Sequence, residues 1–329
     1  MNRFPAFRIH NDNNGHRAGV EQISVDDLSP GEILVKVVYS SVNYKDALAG
    51  TGKAKILRRY PLNGGIDLAG YVAASSDPAF KEGDQVLCTG CGLSETRDGG
   101  YAQYARIESK SAIALPVGLT LRESMTIGTA GFTAALSLYR MRQLGQTPEM
   151  GAIVVTGATG GVGMLAIDVL TQAGFEAHAI TSKSDQFDFL ISLGAKQCIA
   201  RKELFWGQRP LESTHWAGAI DNVGGEMLAG LTRVVSPYGN IAACGNAGGI
   251  ELATTVLPFI LRGVSLIGIS SGTAARAVRD EVWALLGGDW KPQHLDKIAT
   301  NEVDIGELPS VFDKMLAGDS FGRTLVRIG

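Results

Sequence analysis

The chain of 329 residues contains no run of about 18 apolar residues, so it offers no candidate for a membrane-spanning helix. Met1–Phe7 lacks the apolar core of a secretory leader. Four cysteines are too few for a disulfide framework, and the expected compartment is the reducing cytoplasm. Charge of one sign is not massed anywhere. Thirty Lys and Arg stand against 33 Asp and Glu, a net charge of -3, which leaves no electrostatic footprint for nucleic acid or a membrane surface. The expected partner is therefore a small molecule. Metal ligands are sparse as well. His10, His16, His178, His215 and His294 are scattered, and only Cys88 and Cys91 stand close together. A zinc site needs about four ligands, and no second Cys/His pair has suitable spacing, so no metal is expected. Cys88 and Cys91 read as two ordinary cysteines near a strand end or, alternatively, as a redox-sensitive thiol pair.

Glycine is abundant. Its 42 residues point to tight turns and to close approach of the backbone to a ligand. Hydrophobic residues make up 45% and charged residues 19%, as in a globular chain long enough for two domains. The first part reads as short strands at 32–41, 70–74, 85–89, 101–106 and 112–115, without helices between them, which suggests a compact barrel. After Pro116 the pattern changes. A helix is expected over 123–138, then strands at 153–156, 177–180, 197–200, 217–221, 241–244 and 264–269. They alternate with helices that include 162–173 and 185–193. That alternation is the signature of a doubly wound parallel sheet. A last strand over 323–328 is expected to rejoin the first part. The expected division is 1–122, 123–269 and 270–329.

The most informative segment is VVTGATGGVG at 154–163, which follows a strand and opens a helix. Its glycines, at 157, 160, 161 and 163, depart from a strict G-x-G-x-x-G. The physics is the same: Gly160 and Gly161 let backbone amides approach a pyrophosphate, and Gly163 lets the helix pack close to the sheet. A dinucleotide that binds a ribose 2′-hydroxyl wants an acid about 20 residues further on. Thr181, Ser182 and Lys183 stand there instead, and Arg201 follows the next strand. A hydroxyl and cations suit a 2′-phosphate, so the expected cofactor is NADPH.

The order of a small β-domain, a GGVG turn, a Rossmann sheet and a C-terminal return resembles the medium-chain dehydrogenase/reductase superfamily over essentially the whole chain. SSVNYKDAL at 40–48, GTAGFTA at 128–134 and GATGGVG at 157–163 resemble its zinc-free quinone-reductase branch. NYKD, GGIDLAG, WAGAIDNVGG, AACGNAGG and PFILRGVSLIGISS together resemble the acrylyl-CoA reductase subgroup. The resemblance implies an α/β fold, with a GroES-like β-barrel catalytic domain and a Rossmann domain, and a homodimer. It also implies cofactor contacts at Tyr44, Thr159, Gly160, Gly161, Val162, Thr181, Ser182, Lys183 and Arg201. Asn246, Ile260 and Ser271 join these from the later loops, and Arg323 from the C-terminal GRTLV. Where the zinc-dependent branch has a G-H-E segment, this chain has Gly65–Ile66–Asp67, and Ile66 cannot bind metal. Gly157 departs from the alanine usual in the quinone-reductase branch.

Without zinc, the chemistry left is hydride delivery to a carbon–carbon double bond already activated by conjugation. Negative charge collects on the thioester oxygen of an enoyl-CoA, and a donor must stabilise it before the α-carbon is protonated. A tyrosine hydroxyl can donate, so Tyr44 is the candidate acid; its alternative role is to hold the cofactor. Asn43 is a candidate for orienting the carbonyl, and Asp67 reads as a buried structural carboxylate. The basic stretch with Lys53, Lys55, Arg58 and Arg59 is either a solvated loop or a receiver for coenzyme A phosphates. Three functions follow: reduction of a short 2-enoyl-CoA such as acrylyl-CoA, reduction of a quinone or enone, or non-catalytic NADPH sensing.

Overall fold

The computed structural model describes residues 3–329; Met1 and Asn2, part of the segment read for a leader, lie outside the described residues. The chain opens with an antiparallel hairpin, β1 (Phe4–Asp12) and β2 (Gly15–Ile23). The sequence reading missed it because β2, GHRAGVEQI, is almost wholly solvated and carries no apolar alternation. Then follow β3 (Ile33–Ser41), α1 (Tyr44–Thr51), β4 (Leu62–Asn63), β5 (Asp67–Ser75), β6 (Gln85–Thr89), β7 (Tyr104–Ile107) and β8 (Ile113–Ala114). β3 is the hub, antiparallel to both β5 and β7, while β5 continues to β6 and β6 to β8. Its inward Ile33, Val35 and Val37 are fully buried, as alternation on a half-covered strand requires.

α2 (Leu121–Gln143) is longer than the expected 123–138 and is broken at Gly128, whose φ of 50° and ψ of -157° are not helical. Next come β9 (Ile153–Thr156), α3 (Gly161–Gln172), β10 (Ala177–Thr181), α4 (Phe187–Ser192), β11 (Ala195–Ala200), β12 (Trp216–Asp221), α5 (Gly225–Val234), β13 (Val235–Ala243), α6 (Leu257–Arg262) and β14 (Ser265–Gly268). They build a parallel sheet in the order β11-β10-β9-β12-β13-β14. Strand order reverses between β9 and β12, and ligands of such sheets bind where the order reverses, beyond the carboxyl ends of the strands. The helix expected over 185–193 is a 3-10 turn, Ser184–Gln186, followed by α4.

The tail adds α7 (Arg276–Gly287), α8 (Leu295–Ile298), β15 (Asn301–Asp304), α9 (Leu308–Ala317) and β16 (Thr324–Arg327). β16 pairs antiparallel with β3, with Leu325 opposite Ser41, and β15 runs parallel to β16. The described residues up to Thr129 form one compact unit with Gly272–Ala284 and Leu295–Gly329; Ala130–Ser271 and Leu285–His294 form the other. Two of the expected boundaries therefore shift. The chain leaves the first unit after Thr129, where the expected division lies at 122. Residues 285–294 belong with the parallel sheet because α3 carries a fully buried Asp168 that must be satisfied. The backbone N–H groups of Gln293 and His294 donate to it at 3.2 and 2.8 Å. Among the described residues no helix is long and apolar enough to cross a membrane.

Candidate active site

In the first unit the site begins at the start of α1. Asn43 caps the helix, and Asp46 at the third position completes a capping box by accepting from the Asn43 backbone N–H at 2.9 Å. Tyr44 is thus the first helical residue, and its side chain is 56% exposed. Beneath it lies a network of buried polar groups. Asp67, fully buried at the start of β5, accepts from Ser41 Oγ at 2.7 Å, Asn43 Nδ2 at 2.8 Å, the Thr129 N–H at 2.9 Å and Thr129 Oγ1 at 2.5 Å. Arg323 donates to Ser41 Oγ at 2.8 Å, Asn43 Oδ1 at 3.1 Å, and the carbonyls of Val42 and Thr126 at 2.9 and 3.1 Å.

The charges in this network decide its protonation. Arg323 is the cation beside two buried carboxylates, and it stands 3.9 Å from Asp67. Burial pushes Asp46 up to about 7, with the neighbouring charge of Asp67 second in weight. One cation offsets one carboxylate, and the other carboxylate tends toward the neutral acid. Tyr101, fully buried, has its hydroxyl beside Asp46 and donates to the Ser41 carbonyl at 3.1 Å, so it can accept from protonated Asp46. Burial also raises the Tyr101 phenol well above its ordinary range, which keeps it a donor.

This geometry places two residues that the sequence singled out. Arg323, expected among the cofactor contacts, is 3% exposed, and its donors point into the network under Asn43. Asn43, read as a carbonyl-orienting group, has both ends of its amide engaged, between Arg323 on one side and Asp46 and Asp67 on the other. Its role here is to set the start of α1. Of this network only Asp67 carried a local signal, as an acid inside the apolar run of β5.

In the second unit the glycine turn runs from β9 into α3. Gly157 adopts a positive φ of 58°. A β-carbon on Gly163 would lie 2.5 Å from the Gly157 carbonyl oxygen and 2.7 Å from Ala158 Cα, so only glycine permits this packing. Gly160 is the N-cap and supplies no side-chain cap. The first amides of α3 therefore have no acceptor within the helix and are open to an anion. Thr159 Oγ1 and Thr181 Oγ1 are 3.0 Å apart, tying the turn to the end of β10. Ser182 is exposed, Lys183 is half-buried, and Lys183 N–H donates to Thr181 Oγ1 at 3.1 Å. Thr181 stands opposite Ala200 in the β10–β11 register, so Arg201, exposed, leaves the neighbouring strand at the same level. Asn246 and Ser271 follow the carboxyl ends of β13 and β14, on the same rim.

Ile260 does not join them. It lies on α6, which runs into the amino end of β14, and Arg262 of the same helix donates to the carbonyls of Arg233 and Val235 where β13 begins. That is the opposite end of the strands from the glycine turn. Sequence reasoning also missed the polar cluster between β9 and β12. Thr156 Oγ1 donates to Asp221 Oδ1 at 2.6 Å, the Gly224 N–H donates to Asp221 Oδ2 at 2.8 Å, and Asn222 Nδ2 donates to the Thr156 carbonyl at 2.8 Å. Burial raises Asp221 above the usual carboxylate range.

Cys88 is fully buried at the end of β6, while Cys91, with φ 51°, is partly exposed. The interaction of the two thiols, with the nearby Arg279 charge, draws Cys91 down to about 6, while the same interaction and burial hold Cys88 well above a thiol's ordinary range. Among the described residues no group of three or more His, Cys, Asp and Glu side chains could hold a metal ion.

Two family descriptions match the chain: an alcohol dehydrogenase GroES-like domain over residues 29–117 and a zinc-binding dehydrogenase over residues 161–287. The putative quinone oxidoreductase YhfP of Bacillus subtilis (strain 168) is 44% identical, over 94% of this chain and 94% of that protein. The probable acrylyl-CoA reductase AcuI of Escherichia coli (strain K12) is 43% identical, over 94% and 95%. Among solved structures, the yhdH oxidoreductase of Salmonella enterica in complex with NADP superposes with a TM-score of 0.94 at 42% identity, over 99% of this chain and all of that one. Bacillus subtilis yhfP with NAD bound gives 0.96 at 42% identity, with both chains fully covered.

Proposed function

The chain belongs to the medium-chain dehydrogenase/reductase family, and from that membership we propose that it is an NADPH-dependent reductase of the carbon–carbon double bond of a short 2-enoyl-CoA, acrylyl-CoA first among them. The observation that carries the substrate is the 43% identity, over nearly the whole length, to a relative named acrylyl-CoA reductase. The equally similar YhfP keeps reduction of a quinone or enone as the second reading.

The residues fit the cofactor. The open amides at the start of α3 suit the pyrophosphate, and Ser182, Lys183 and Arg201 suit a 2′-phosphate. When bound, NADPH supplies the hydride. Tyr44, held at the start of α1, would donate a hydrogen bond to the thioester oxygen as negative charge develops there and then give its own proton to the α-carbon, regaining one from solvent, to which it is open. No catalytic zinc is part of this proposal: Ile66 offers no ligand atom, and the Asp67 carboxylate is already filled by Ser41, Asn43 and Thr129. A cytoplasmic setting is consistent with four free thiols. A homodimer would use the free edge of β14, beside which Val256, Ile260 and Leu261 are 64%, 68% and 65% exposed.

The test is kcat/KM for acrylyl-CoA against a simple quinone, each with NADPH and with NADH. The expected result is a clear preference for acrylyl-CoA and for NADPH. A larger value for the quinone selects the second reading, and NADPH binding without turnover of either selects a sensor. A Tyr44→Phe variant should lose kcat; an unchanged kcat with a raised KM for NADPH would leave Tyr44 only the cofactor-holding role.

A further inference from the structure

Directly after Tyr44, Lys45 lines a concavity of about 400 Å³ that lies wholly in the first unit. Its other walls are Lys55, Ile56, Leu57, Arg58 and Glu95. Leu57 is 1% exposed and gives the pocket an apolar floor. Lys45 pairs with Glu95, so these two charges offset each other. Lys55 and Arg58 are exposed, and they leave the pocket with a net charge of two positive units. The loop that carries them is fixed: the Arg58 backbone N–H donates to the Glu95 carbonyl at 2.7 Å.

The structure also divides the basic stretch into working and structural parts. Arg59 donates through Nε to the Thr96 carbonyl at 2.8 Å and through its terminal nitrogen to Ser29 Oγ at 2.5 Å. It is a strut that braces the loop. Lys53 is exposed but does not line the pocket.

A pocket of this size suits a small-molecule fragment, and an apolar floor under two cations suits a flat base bearing phosphates. Arginine in particular can bind phosphate through two parallel hydrogen bonds. We propose that the Lys45–Lys55–Arg58 pocket receives the phosphorylated nucleotide end of the acyl-CoA substrate while the acyl end lies at Tyr44. This rests on the acyl-CoA reading above and extends it, because a quinone has no group to place here.

The experiment compares acrylyl-CoA with acrylyl-pantetheine, which keeps the reacting thioester and lacks the nucleotide. Wild type, Arg58→Glu and Lys55→Glu are assayed for KM and kcat, and the binding of coenzyme A alone is measured by calorimetry. Charge reversal at two exposed positions leaves the core intact, and the melting temperature verifies this. In wild type, KM should be about tenfold lower for acrylyl-CoA than for acrylyl-pantetheine, and Arg58→Glu should erase about that much of the difference, with Lys55→Glu acting in the same direction. Added salt should weaken acrylyl-CoA more than acrylyl-pantetheine. Equal effects of Arg58→Glu on both thioesters, or none on either, would overturn the pocket assignment while leaving the reductase reading intact. If neither thioester is turned over, the reductase reading fails, and calorimetry decides the pocket separately: coenzyme A affinity unchanged by Arg58→Glu overturns it.

Discussion

Around Tyr44 the geometry is held mainly by buried polar side chains, whereas at Gly157–Gly163 it rests mainly on glycine backbone, with one side-chain tie from Thr159 to Thr181. The first arrangement buries charge and depends on every partner being present. The second exposes unsatisfied amides and depends on nothing filling the space above them. A polar network loses much of its stability with one deletion, while a bare turn keeps its fold and loses only its ligand.

Arg323→Met is the sharpest way to break that contrast. It leaves Asp67 buried without its nearby cation and should cost about 3–5 kcal/mol in urea unfolding, with part of the loss recovered in the Arg323→Met, Asp67→Asn double variant. A loss under about 1 kcal/mol would mean that the network does not hold the start of α1.

The protonation of Asp46 gives the next largest effect. Its folded value of about 7 lies above its ordinary 3.8, so the folded state binds more protons than the unfolded state between those two pH values. Stability from this group is complete below pH 3.8 and falls as pH rises toward 7, by at most about 1.4 kcal/mol per pH unit. Asp46→Asn should flatten the stability–pH curve across that window. An unaltered slope would place the shared proton elsewhere.

At the glycine turn the expected outcome is reversed. A β-carbon on Gly160 meets only the Gly157 carbonyl oxygen, at 3.3 Å. Gly160→Ala should therefore change stability by less than about 1 kcal/mol while weakening NADPH binding about tenfold in fluorescence titration. Lost stability with intact affinity would erase the distinction between the two regions.

The smallest effect concerns the two thiols. Iodoacetamide should label Cys91 with a midpoint near pH 6, and Cys88 only after unfolding, as read by peptide mass. Equal labelling of both in the folded protein would contradict the burial of Cys88.

The same contrast explains what could be read from the sequence. The glycine turn is legible because its chemistry is local: four glycines in seven residues, between a strand and a helix, state a backbone requirement that no distant residue can alter. The parallel sheet is legible for a related reason, since each strand announces itself as a short apolar run. The Tyr44 network is built from Ser41, Asn43, Asp46, Asp67, Thr129 and Arg323, which lie as much as 282 residues apart. Apart from Asp67, each is ordinary in its own neighbourhood. Family resemblance suggested a cofactor role for Arg323, and only the pairing of β16 with β3 shows how it comes to lie beneath Asn43. Ile260 shows the opposite case: its segment matches, and α6 leads it toward the amino end of β14. The hairpin of β1 and β2 escaped notice because hydrogen bonding, rather than an apolar face, defines its outer strand.

Gly128 ties the network to inheritance. A β-carbon there would stand 2.7 Å from an Asp67 carboxylate oxygen and 2.8 Å from both the Arg323 guanidinium and Ser41 Oγ. Every single-base change that replaces glycine with another amino acid adds a side chain, so no first replacement at this position avoids that collision. Lineages that keep the Asp67–Arg323 pair are held to glycine at 128, and losing the pair would not by itself release the position, because its φ of 50° and ψ of -157° still favour glycine. Glycine at 128 is thus held twice over, by the packed network and by the backbone angle that breaks α2.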